Sequence, residues 1–284
     1  MFICEYGIGA IILLGITLYL YFTHDEFREH AFMGYPPGTF YEIYPPYRRI
    51  EWLLSFAVVA LALLWGTINL PDPYNRACLI YLVIYVLVEI FTLIERLRPG
   101  YVPFAEFGIG TIENLKKAII YGTIVFMATV LINSLVTGSI VFQIPTPTDK
   151  IDITVNFLII GVVAPICEEK LFLQLLGASF IESIGIIPSA ITLGFAFAWF
   201  HYATYGLAFD ILFVLFAFRY LVTIFAPLCR TAIVGVLPHF LINSIAVLMQ
   251  YNIPLPYMAL AIAVTFIGQA IIAIYSAKLA EERI

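Results

Sequence analysis

Charge is scarce in this sequence. Only 12% of its 284 residues are Asp, Glu, Lys or Arg, about half the roughly 25% usual in soluble globular domains. The net charge is −5, which leaves no basic footprint, so nucleic acid is not an expected partner. Its four cysteines, Cys4, Cys78, Cys167 and Cys229, lie far apart without a C-x-x-C pair. That spacing indicates neither a zinc ribbon nor a disulfide framework. The amino terminus lacks the basic region of a cleavable signal, so the first apolar run is expected to remain as a true span. No H-E-x-x-H pair occurs on one helix, and no internal repeat stands out.

What the chain has instead is hydrophobicity: 62% of its residues are apolar or aromatic. Runs of roughly 20 such residues suffice to cross a hydrocarbon core as helix. Nine candidates follow: Tyr6–Phe22, Glu51–Leu70, Arg76–Leu97, Ile112–Phe142, Ile151–Phe180, Ile186–Thr204, Gly206–Ala226, Thr231–Gln250 and Pro254–Lys278. One of them can be broken or interfacial, which would leave eight. The expected fold is therefore all-α, a polytopic integral membrane bundle of eight to nine transmembrane helices around an intramembrane polar cavity. Residues 1–284 form one membrane domain, and residues 151–250 hold its core. Pro165 is expected to interrupt the fifth run, because proline lacks a backbone donor and clashes with the preceding turn.

Counted on nine spans, ten Lys and Arg fall to one side, and Arg76 and Lys150 to the other, with Lys170 and Arg219 inside spans. Positive residues favour the cytoplasmic side, so the carboxyl terminus is expected there. The segment "YPPGTFYEIYPPY" (residues 35–47) reads as an interfacial aromatic belt.

The informative residues are the few polar ones inside these runs. Ionisable side chains at membrane depth are functional candidates by default. Here they are Glu89, Glu168, Glu169, Lys170, His201, Asp210, Arg219 and His239. Two clusters follow helical spacing. "FAFAWFHYAT" puts Phe197 and His201 at i, i+4, and "LPHFLINS" does the same for His239 and Asn243, so each pair shares a helix face. With "PICEEKLFL", which carries Glu168 and Glu169, they place acid, imidazole and amide on three separate runs.

Those groups are the parts of an amide hydrolase. Glu168 can serve as general base on a water, and a histidine can pass the proton to the leaving amine. The amide of Asn243 supplies a donor of the kind that stabilises an oxyanion. Two other chemistries share the same letters. Glu168, His201 and His239 form a two-His, one-Glu zinc set, and Cys167 with a histidine and Asn243 parallels a Cys–His–Asn protease. Cys167 precedes Glu168 and faces about 100° away on a helix. A proton-coupled transporter could also use a Glu/His relay.

In order and type, Glu168-Glu169, Phe197-x-x-x-His201 and His239-x-x-x-Asn243 resemble the membrane family of CAAX proteases and bacteriocin-processing enzymes, most closely its type II CAAX prenyl protease branch, the Ras-converting enzymes. The resemblance covers about Ile151 to Gln250. It implies an intramembrane endopeptidase that releases the last three residues of a prenylated CaaX carboxyl terminus. It further implies a metal-free, cofactor-free mechanism, with Glu168 and His201 activating water and His239 with Asn243 forming the oxyanion site. Relatives in that family act on other substrates, such as bacteriocins. One position departs: the first motif usually reads E-E-x-x-x-R, and here its last place is Leu173. Glu169 then needs another cation. Arg219, or Lys170 after local unwinding near Pro165, is the expected substitute.

Overall fold

The computed structural model describes residues 2–36, 112–144 and 153–281, with isolated helical positions between 57 and 86. The expected spans Glu51–Leu70 and Arg76–Leu97, with Glu89, lie outside the described residues apart from those positions, as does most of the aromatic segment 35–47. Among the described residues every regular element is helical and no strand occurs.

α1 (Phe2–Thr23) and the short α2 (Asp25–His30) open the chain, and α3 (Ile112–Thr137) follows. On α1 a stripe of Leu13, Thr17 and Leu20 is buried, whereas Ile11, Leu14 and Phe22 face outward. This is the three-to-four-residue alternation of a helix with one packed face. Thr17 shares a buried hydrogen bond with Tyr220, 2.8 Å long, and Tyr6 donates to Asp210. Two polar rungs thus tie α1 to a helix more than 200 residues away. Because lipid removes most of the hydrophobic drive between helices, such rungs and close backbone contacts carry much of the association.

Residues 153–184 form one helical rod in five parts. These are α4 (Ile153–Asn156), a first π segment (Phe157–Val163), α5 (Ala164–Glu169), a second π segment (Lys170–Gly177) and α6 (Ala178–Ile184). The expected break at Pro165 does not occur. A proline ring opposes the carbonyl four residues back, here Gly161, and the ladder answers by widening rather than ending. Ala164 N–H donates to the Ile159 carbonyl, a five-residue step, and Ala178 repeats this on Leu173. Short π stretches of this kind gather at functional sites.

The rod turns at Gly185 (φ 87°) into α7 (Ile186–Tyr205). A side chain there would meet the backbone of Phe32 and Met33, so glycine lets the end of α2 close against this corner, where Ile187 N–H bonds the Ala31 carbonyl at 2.9 Å. α8 (Phe209–Cys229), α9 (Ile233–Gln250) and α10 (Leu255–Glu281) complete the chain. α8 packs along α7 and α3, and α9 packs against α3, α5 and the first π segment. Pro238 lies inside α9 without ending it.

Among the described residues, four helical stretches are long and apolar enough to cross a membrane: Glu5–Thr23, Ile112–Thr137, Phe209–Cys229 and Ile233–Gln250. Ile186–Tyr202 and Leu255–Thr265 are shorter apolar stretches. The eight-to-nine count expected from hydrophobic runs is therefore not reached among the described residues. One reason is visible in the rod, whose length is divided between α and π turns.

Candidate functional site

The site is assembled from α5, α7, α8 and α9. Glu168 and Glu169 end α5 and both carboxylates are completely buried. Adjacent residues on a helix point about 100° apart, so the pair reaches different neighbours.

Glu169 meets Arg219 of α8. The guanidinium closes on it as a fork, with Nη1 donating to Oε2 at 2.9 Å and Nη2 to Oε1 at 2.6 Å. Arg219 is fully enclosed and is the largest such side chain among the described residues. Its charge lies over the ring of Phe197, 4.5 Å from the centroid, with Phe172 and Phe218 at 5.4 and 5.7 Å. Aromatic faces suit a desolvated guanidinium. Of the two cations weighed for Glu169, Arg219 is the one in contact. Leu173, where the resembling motif carries arginine, is buried in the apolar core.

His239 of α9 stands between the two glutamates. Its Nδ1 lies 3.0 Å from Glu169 Oε1, and its Nε2 lies 3.7 Å from Glu168 Oε2. His201 of α7 approaches the same Glu168 oxygen, also with Nε2 at 3.7 Å. The Nδ1 of His201 sits 2.8 Å from the Phe197 carbonyl, which can only accept, so this nitrogen carries the proton. Glu169 sets the same tautomer in His239 by accepting from Nδ1. A ring nitrogen fixed in this way determines what the other offers, and both imidazoles present Nε2 to Glu168. At 3.7 Å these are close charge contacts rather than hydrogen bonds.

Asn243 takes a different place. Its Nδ2 donates to the Ile160 carbonyl of the first π segment at 2.9 Å. One amide N–H is thereby used to hold the rod, and an amide nitrogen carries two.

Two stripes organise these groups. On α7, Phe197, His201 and Tyr205 follow at four-residue steps, and the His201 and Tyr205 rings stack with centroids 6.2 Å apart. On α9, Gly235, His239 and Asn243 do the same. A side chain at Gly235 would collide with the Glu169 carboxylate, so glycine is what lets α9 approach close enough for His239 to reach both acids. Neither Gly235 nor Tyr205 stands out in the sequence as a site residue. The repeated spacing of four was the available signal.

A cavity of about 50 Å³ opens beside the imidazoles, above the roughly 10–15 Å³ that a cavity needs to hold a water. His201, His239, Asn243 and Tyr205 supply its polar wall, and Ile160, Val214, Phe218 and Ile242 are among its apolar walls. Phe142, Gln143 and Ile144 also line it, held by hydrogen bonds from Tyr205 Oη to the Gln143 carbonyl and from Gln250 Nε2 to that of Ile144, both 3.0 Å.

The other in-span residues fall elsewhere. Asp210 accepts from Tyr6, Lys170 is partly exposed, and Cys167 is buried in the main apolar core. Among the described residues no group of three His, Cys, Asp or Glu is arranged to hold a metal ion. No protein-family model, curated protein or solved structure matches this chain. Fold and site define an all-helical, membrane-type protein with a buried acid–imidazole centre beside a small cavity.

Proposed function

We propose that this chain is an intramembrane peptidase, and that its substrate is the prenylated CaaX carboxyl terminus implied by the motif resemblance. One observation carries the reading: Glu168 Oε2 lies 3.7 Å from Nε2 of both His201 and His239, and both imidazoles border a cavity large enough for water. Three segments distant in sequence bring acid and base groups to one place, where the apolar surroundings strengthen every charge interaction.

The chemistry runs as follows. Glu168 sits behind the imidazoles that border the cavity, so a water there passes a proton through His201 Nε2 toward Glu168 as that water attacks the peptide carbonyl. The carbonyl electron pair moves to oxygen, and the oxyanion faces His239 and the second N–H of Asn243. Collapse of the tetrahedral species breaks the C–N bond, and the proton passes to the leaving amine. The apolar walls suit apolar side chains around the cleaved bond. A lipid-anchored tail could enter such a cavity sideways from the bilayer, and the multi-pass topology of eight or nine spans with a cytoplasmic carboxyl terminus belongs to the same proposal.

The test is release of a tripeptide from a farnesylated CaaX peptide by the purified chain in detergent, beside Glu168→Ala. Equal rates for the two proteins end the proposal. Cleavage of an unprenylated peptide at the same rate keeps the peptidase and removes the prenyl requirement.

A further inference from the structure

The cavity beside the imidazoles is large enough for water and too small for a peptide. Its volume is about 50 Å³, whereas an apolar void of ~150 Å³ is the scale that admits one benzene. Pockets for larger organic ligands begin near about 300 Å³. A peptide bond with a side chain on either side does not fit, so one wall must move to admit it.

The helical walls are joined to one another by buried bonds. The Glu169–Arg219 fork ties the rod to α8, and His239 brings α9 to the same carboxylate. Asn243 fastens α9 to the first π segment, and α7 lies packed along α8. The wall formed by Phe142–Ile144 is not helical and is held in another way. After α3, Gly138 (φ 72°) turns the chain, and side chains take hold of its carbonyls in succession. Asn133 Nδ2 donates to Ser139 at 2.6 Å, ahead of the bonds from Tyr205 to Gln143 and from Gln250 to Ile144. A neutral hydrogen bond shifts an equilibrium by only about two- to tenfold. This wall is the one that gives way.

How the segment sits points to what replaces it. Phe142 is part-buried against the main core and Ile144 against Ile160, Ala164 and Val247, whereas Gln143 between them is exposed. Alternate side chains packed inward, with consecutive carbonyls held by donors, is how an extended peptide lies on a protein surface. Tyr205 also lines the cavity, one turn beyond His201 and stacked on its ring. Whatever its hydroxyl holds therefore lies beside the acid–imidazole centre.

We propose that Phe142–Ile144 is an internal strap in the peptide's place, and that Tyr205 and Gln250 pass their hydrogen bonds from its carbonyls to those of the substrate. The identity of the incoming chain rests on the peptidase reading, whereas release of the strap is a property of this chain alone. Tyr205 and Gln250 bind the peptide backbone and position it; they take no part in breaking the bond. A peptide must compete with the closed strap, so its apparent affinity is reduced by the fraction of chains that are open.

Release of the strap is read as a distance. Spin labels at Gln143→Cys and Phe22→Cys, both exposed positions, are placed in the full chain carrying Cys4→Ser and Cys78→Ser; Cys167 and Cys229 are buried. A second pair, Phe22→Cys with the exposed Trp199→Cys, follows α7 as a reference. In lipid nanodiscs the chain alone is expected to give one strap distance. A farnesylated CaaX peptide with its cleaved amide reduced is expected to add a displaced one, with the reference unchanged. Ile144→Ala removes the apolar hold. Asn133→Ala removes the bond to Ser139 from a residue that does not line the cavity. Each is expected to show the displaced distance without peptide. Wild-type distances in both variants overturn the strap, and so does a reference pair that moves with it. Peptide bound with the strap distance unchanged overturns the proposal outright.

Affinity for the same peptide tests the exchange of partners. Ile144→Ala is expected to tighten binding about tenfold, through the apolar contact that the closed strap loses. In that opened background Tyr205→Phe and Gln250→Leu are each expected to weaken binding about two- to tenfold. In the closed chain each has a smaller effect, because the bond is lost from strap and peptide alike. Equal effects in the two backgrounds overturn the exchange. A peptide that binds none of these proteins removes the peptidase reading and the exchange with it, while the distances still decide whether the strap opens.

Discussion

Gly235 and Glu169 are in contact where no side chain could intervene: a Cβ on the glycine would overlap the carboxylate. The carboxylate cannot give way easily, because two guanidinium nitrogens and His239 hold it at 2.6–3.0 Å. Gly235→Ala should therefore displace α9 or break the fork. Overpacking of this kind costs about 1–3 kcal/mol. Thermal denaturation of the detergent-solubilised protein should show the loss, and peptide cleavage should fall further than stability. A variant as stable and active as wild type would mean that α9 does not need this approach.

The two glutamates should respond differently to neutralisation. Glu168→Gln keeps size and burial and removes the base, so cleavage should disappear while the melting temperature holds or rises. Glu169→Gln leaves Arg219 without its anion. Breaking one side of a buried pair costs about 3–5 kcal/mol, so this variant should lose stability as well. Melting curves of the two proteins, run side by side, check the contrast.

Asn243 should carry two effects that one comparison can separate. Asn243→Ala removes the bond to the Ile160 carbonyl, worth about 0.5–1.5 kcal/mol, and the remaining amide donor. Loss of such a donor from an oxyanion site lowers kcat by about 10²–10³. If the variant loses stability and keeps kcat, the amide serves the rod alone.

Tyr205→Phe keeps the ring beside His201 and deletes the hydroxyl that holds the Gln143 carbonyl. The segment Phe142–Ile144 that lines the cavity is then held less firmly on that side. The expected result is a changed KM with kcat within about threefold, because the lost neutral hydrogen bond is worth only ~1 kcal/mol. A large fall in kcat would instead place the phenol among the reacting groups.

Strong chelators should leave cleavage unchanged, since the proposed steps run through Glu168, His201 and His239 without a metal. Loss of activity in chelator, restored by zinc, would turn the same three residues into ligands.

The sequence made some of this plain and hid the rest for physical reasons. The pairs Phe197–His201 and His239–Asn243 were legible because four residues span about one helical turn, so the letters themselves specify a shared face. The link from Glu169 to Arg219 was within reach, because Leu173 left the acid without its usual neighbour on the rod and few cations lie inside the runs. The ends of α7 and α9 fall within a few residues of those read from hydrophobicity. The π turns were not legible: Pro165 announced a disturbance, but whether a ladder breaks or widens depends on what packs around it, here α9 at Gly161 and Ser244. Gly235 read as one small residue among many, since its meaning lies in a carboxylate 66 positions away. The partner of Asn243 was invisible because it is a backbone carbonyl, which every residue possesses.

The widened turns on either side of Ala164–Glu169 have a consequence for how this chain tolerates length changes. Each widened turn absorbs about one surplus residue, and one residue corresponds to about 100° of azimuth on an ordinary helix. Shortening Phe157–Val163 by a single position would relax that stretch to regular winding and swing the acidic tip by about a quarter-turn, away from both rings. The surplus residue works as a phase adjuster: it sets the clock angle at which the acids emerge, independently of where the rod begins.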